Sequence, residues 1–301
     1  MKRLLLLLLA FAVPAVGQSA APVEVAHGVW FLLGDSHAGY CNSVVIEMKD
    51  YLILVDTSYP GRAKELQAII PQLSSKPVRY VFDTHAHGDH SYGNSVWTKV
   101  GATTLAYERV VGDMAGHEPA RWQSAITTRE DVRATGEQDV ERPKQTFTGK
   151  KLVLRDSTRE VEFLHFGWGH TSGDGFVWLP KERILATGDA AVNGPRNNLK
   201  DADIANWPRM VDQAAKLRPV HVLPGHGPAG GIEVLTGQAK FLRDLYDAVR
   251  VPALQGKKAE EIQPVLPAED SNWVPASLKN DIAATWLEIT SHKPAGANPH
   301  P

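Results

Sequence analysis

A single cysteine in 301 residues, Cys41, excludes any disulfide within the chain. The fold must hold by core packing, with help from metal if the chain binds one, and Cys41, beside a strand-like stretch, reads as a small buried hydrophobe. Neither sign of charge dominates, with 32 Lys and Arg against 34 Asp and Glu. No basic stripe stands out, so no nucleic-acid partner is expected. Long apolar runs are scarce as well. Residues 4–13 form the longest, about half of the ~20 residues that span a bilayer. With Lys2 and Arg3 before that run, and Pro14 and small residues after it, residues 1–20 have the layout of a secretory signal peptide. No cysteine follows to take a lipid. The expectation is an exported protein, periplasmic or secreted, with no stable membrane anchor.

What remains is ordinary globular composition, 43% hydrophobic and 22% charged. β-Branched and aromatic stretches read as strands: "VEVAHGVWFLLG", "NSVVIEMKDYLILVDTSY", "VRYVFDT", "KKLVLRDSTREVEFLHFGWG" and "GFVWLPKERILATGD". Residues 61–75 have helical spacing, with a kink or early end expected at Pro71, and 233–250 form an amphipathic helix. Residues 117–148 are polar and interrupted by prolines, which suggests a helical insertion or a lid. Alternating strands and helices in two similar halves predict an α/β (α+β) fold of sheet layers covered by helices, over residues 21–291. The tail at 292–301 is expected to be disordered.

Histidine is not abundant, 12 in all, yet three of them fall in "THAHGDHSYGN". His85 and His87 are two apart, so on an extended segment their rings point the same way and can grip one cation. Asp89 and His90 follow Gly88, where a turn would aim them elsewhere. One loop thus offers two ligand pairs to two neighbouring cations. Imidazole and carboxylate suit zinc, with iron or manganese as alternatives. Because each zinc takes about four ligands, further donors are required. His170 in "GWGHTSGD", Asp189 closing "RILATGD" and His226 in "LPGHG" each follow an apolar strand among glycines. His117 is a further histidine that could reach the site if the insertion is a lid.

In this order these motifs resemble the metallo-β-lactamase fold superfamily, over roughly residues 24–250. The resemblance implies a four-layer αββα sandwich with a dinuclear site at one edge. His85, His87 and His170 would hold the first metal, Asp89, His90 and His226 the second, and Asp189 would bridge them. Asp56, ending "LILVDT", would steady the histidine loop by hydrogen bonds. The set differs from zinc β-lactamases of the cysteine-ligand type, where a cysteine stands at the position of Asp189. It is similar to the sets of thioesterases, lactonases and other general hydrolases of this fold.

The implied activity is hydrolysis of a small ester, lactone, lactam or thioester. Two zinc ions would share the attacking hydroxide, with Asp189 and Asp89 as catalytic carboxylates. Trp168, Asn193 and Arg196 are candidate substrate contacts, with Tyr92 and Trp122 behind them. Three other readings compete: a zinc β-lactamase proper, a mononuclear iron persulfide dioxygenase using His85, His87 and His170, and a non-catalytic periplasmic metal binder.

Overall fold

The computed structural model describes residues 20–297. The signal-peptide expectation and the last residues of the tail lie outside them. Strands β1 (Val23–Ala26), β2 (Val29–Leu32), β3 (Ser43–Glu47), β4 (Leu52–Val55), β5 (Val78–Asp83), β6 (Thr103–Tyr107) and β7 (Gln145–Phe147) form one sheet in sequence order. Pairing is antiparallel from β1 to β4 and parallel from β4 to β7. The second sheet runs β12-β11-β10-β9-β8. It comprises β8 (Lys151–Arg155), β9 (Glu160–Leu164), β10 (Phe176–Leu179), β11 (Ile184–Gly188) and β12 (His221–Pro224), with only β11 and β12 parallel.

The two-residue period of a strand explains the layering. In β3 and β4, Val44, Ile46, Ile53 and Val55 face the second sheet, while Val45, Leu52 and Leu54 face outward into a separate apolar cluster. In β11, Ile184 and Ala186 face inward and Leu185 outward. Both faces are covered, so these strands read as continuous apolar runs. Phe82 of β5 meets Phe163 of β9 across the interface, with ring centroids 4.5 Å apart.

Helices α1 (Pro60–Leu73), α2 (Gly88–Ser91), α3 (Asn94–Thr98), α4 (Glu108–Thr128) and α5 (Glu130–Arg133) follow strands of the first sheet. Helices α6 (Trp207–Ala215), α7 (Glu233–Leu254) and α8 (Lys279–Ser291) belong to the second half. α1 starts on Pro60, where the missing N–H costs nothing, and ends two residues after Pro71. The fold is the expected αββα sandwich.

Two expectations need revision. Of the two readings of residues 117–148, the helical one holds and the separate lid does not. α4 begins at Glu108 and runs through Pro119, and it is tied down along its length: Trp122 is fully buried, Tyr92 donates to Glu118 at 2.7 Å, and the Arg129 guanidinium stacks 3.6 Å from the Tyr59 ring centroid. Nor is the tail disordered from 292. The Ala295 N–H donates to Glu288 and the Gly296 N–H to the Ala202 carbonyl, and Ala295 is buried. Nothing apolar in 292–294 signals this docking, because backbone groups make it.

Candidate metal centre

All the candidate ligands lie at one edge of the sandwich, where parallel strands end. Asp56 follows β4, His85 follows β5, Asp189 follows β11 and His226 follows β12, while His170 lies in the β9–β10 connection. This is the edge at which open parallel sheets place their ligands. Close approach of these loops demands glycine: a Cβ on Gly225 would lie 2.2 Å from an Asp189 carboxylate oxygen. Gly88 plays a different part from the sharp turn expected of it. It opens α2 with ordinary helical backbone, and its bare Cα leaves room for the Tyr92 ring, which a Cβ would strike at 2.6 Å.

The side chains form adjoining groups whose donor atoms lie within 4.8 Å of one another: His85, His87 and His170; His85, His90 and Asp189; and Asp89, His90 and His226. His87 Nδ1 faces His170 Nε2 at 3.0 Å. Asp189 stands between the groups, with Oδ1 3.3 Å from His90 Nε2 and Oδ2 3.6 Å from His226 Nε2 and 3.9 Å from His170 Nε2. Asp89 Oδ2 lies 3.0 Å from His226 Nε2. Asp56 accepts from the Thr84 N–H, the Thr84 hydroxyl and His90 Nδ1, each at 2.8 Å.

Unmet bonds and the shifts of two histidines fit a cation, whereas neighbouring anionic groups outweigh burial and raise His87 and His90 above the usual histidine range. Burial, then the neighbouring imidazoles, drive His85 well below the usual histidine range and His170 down to about 3. Both are neutral at pH 7, as a metal ligand must be. Burial disfavours charge on Asp189, but His226 and His90 outweigh it and hold that carboxyl well below the usual range. His85 Nε2, His90 Nε2 and Asp189 Oδ1 are buried without a hydrogen-bond partner. Such orphaned atoms cost about 1–3 kcal/mol each unless something else satisfies them. The donor set, imidazole and carboxylate, is what zinc, iron or manganese takes.

Around this centre lies a cleft of about 400 Å³ lined by Tyr59, Asp89, Arg129, Asp189, Arg196 and His226. A smaller cavity of about 210 Å³ touches His87 and is lined by Trp168 and His117, among others. Arg196 is thus at the cleft, 3.9 Å from Asp89 Oδ2, and Trp168 borders the side cavity. Asn193 is not among the residues that line the cleft. Its amide donates to the Pro228 carbonyl and accepts from Asn272, which uses it to brace the His226 loop. Trp122 is likewise sequestered in a core with Tyr92. Sequence reasoning missed Asp201, whose carboxylate accepts from His87 Nε2 at 2.6 Å, and Asp174, which accepts from the His170 and Thr171 N–H groups at 2.6 and 3.0 Å. Asp174 closes the quoted motif "GHTSGD" and was findable. Asp201, in a polar loop, carries no spacing signal.

A family profile described as Metallo-beta-lactamase superfamily matches residues 38–229, well over half of the chain. The chain belongs to the metallo-beta-lactamase superfamily. Among curated proteins it is similar to "Metallo-beta-lactamase type 2" of Bacillus sp. (strain 170), 29% identical over 63% of this chain and 67% of that protein. The protein of the same name from Bacillus cereus is 28% identical over 63% and 68%. Among solved structures, a metallo-beta-lactamase from Pontibacter korlensis superposes with a TM-score of 0.60 at 20% identity, covering 74% of this chain and 98% of that one. At that identity the likeness concerns the fold. For this superfamily member, the matched span contains the whole His/Asp constellation.

Proposed function

We propose that this chain is an exported metal-dependent hydrolase that holds two zinc ions and cleaves a small ester, lactone, lactam or thioester. The observation that carries the reading is the convergence of seven buried or half-buried donors on two adjoining positions, with the Asp189 carboxylate between them. Cations bound there would polarise a carbonyl oxygen and lower the pKa of water toward about 7. The chain's own residues supply the rest. Asp189 and Asp89 stay ionised and offset the charge of two neighbouring cations. Tyr59 lines the cleft, and burial, then the Asp89 charge, push its phenol up to about 12. It remains protonated and can donate to a substrate oxygen. Cys41 is no nucleophile, since burial pushes its thiol up to about 11. Arg196 and Lys200, both exposed at the rim, favour a substrate with an anionic group.

The second donor group, Asp89, His90 and His226, favours two cations over the single iron of a dioxygenase. A β-lactamase proper is the second reading, favoured by the names of the two Bacillus relatives. Metal analysis followed by a lactam, lactone, ester and thioester panel tests the proposal. Activity should vanish with chelator and return with zinc. Iron as the sole metal, with oxygen consumption and no hydrolysis, would contradict it.

A further inference from the structure

The geometry points to helix α4 as the element that positions His87 for the first metal, acting through Arg121 and Asp201. A neutral imidazole has one N–H, and an ionised carboxylate only accepts. His87 Nε2 must therefore donate to Asp201 Oδ2, at 2.6 Å, and in the neutral ring that a metal requires the lone pair is then on Nδ1, toward His170. His85 is arranged the other way round: Thr84 Oγ1 lies 3.0 Å from its Nδ1, and its Nε2 is left open. The two rings of the His-x-His pair thus present different nitrogens, and Asp201 decides the case of His87.

Asp201 is itself held. Arg121 Nη2 reaches both of its oxygens, at 3.0 and 2.8 Å, and Arg121 Nη1 donates to Glu118 at 2.8 Å. Glu118 is fully buried and accepts from the Tyr92 hydroxyl at 2.7 Å. The Asp201 backbone carbonyl accepts from Trp168 Nε1 at 2.8 Å, which stitches this loop to the segment bearing His170. The chain Tyr92–Glu118–Arg121–Asp201–His87 runs from the α4 wall to a proposed metal donor. Opposite charges on Glu118, Arg121 and Asp201 let each group satisfy the next, so loss of one member frees the imidazole to rotate. Asp201 and Arg121 are positioning residues, because neither faces the metal position.

The inference rests on the metal-binding reading above, and its test separates the two. The affinity of each metal position for zinc is measured by chelator competition in the full chain, alongside the hydrogen-bonded His87 Nε2–H resonance in proton NMR. Asp201→Ala should weaken the first position about 10–100-fold, leave the second unchanged and abolish the resonance. Arg121→Met should move the same readouts by less, and Arg121→Lys should recover part of the loss. Asp201→Asn, which keeps an acceptor without its charge, stands in if the alanine variant fails to fold. First-position affinity unchanged in Asp201→Ala (or Asp201→Asn) and Arg121→Met, or both positions lost equally, would overturn the inference. A wild-type chain that binds no zinc would sink both readings; tight binding indifferent to Asp201 sinks this one alone.

Discussion

Asp56 shows how much one carboxylate can organise. Its backbone takes φ 58°, a left-handed conformation that favours glycine, and the bend aims both of its oxygens at the Thr84–His90 loop. Its position after a β-branched strand made it legible in the sequence. Asp201 does the same for His87 but was not legible, because its partners are 80 and 114 residues away. Asp281 is a buried acid with no such compensation: one oxygen lacks a partner, and burial alone pushes its carboxyl up to about 7. A raised carboxyl binds its proton more tightly when folded, so this group costs stability as pH rises from about 4 to about 7, then by a constant amount. Three pH units correspond to at most about 4 kcal/mol, less up to about 1 from its place in the first turn of α8. Asp281→Asn should therefore gain on wild type across that window and level off above it. Parallel unfolding curves from pH 4 to 8 would show that the carboxyl is solvated.

At the scale of elements, the strands were legible because both faces of each central strand are apolar and turn residues bound them. For α4 only the helical character was legible; its anchoring was not, since its sequence is polar and contains Pro119 and the anchoring comes from tertiary contacts alone. Trp122 is the main anchor: fully buried, packed on Tyr92 with centroids 4.8 Å apart, its Nε1 donating to the Glu137 carbonyl. Trp122→Ala should cost about 3–5 kcal/mol in urea unfolding. A loss below about 1 kcal/mol would mean that the wall is only loosely attached. The docking of 292–297 was illegible for a related reason, because backbone N–H groups pair with Glu288 and Ala202.

Over the whole molecule, two sheets meet through a shared apolar layer, and the loops at one edge hold the site. No helix among the described residues is long and apolar enough to cross a membrane. The ligand positions were legible because metal binding concentrates rare residue types, whereas the groups that brace them are common polar residues spread across the fold. The central claim is that Asp189 joins two cation positions into one site. Metal content per chain of wild type and Asp189→Ala, measured side by side after zinc loading, tests it most directly. The account predicts two zinc ions in wild type and one, with little hydrolysis, in the variant; one zinc in wild type, or two with full activity in Asp189→Ala, would contradict it.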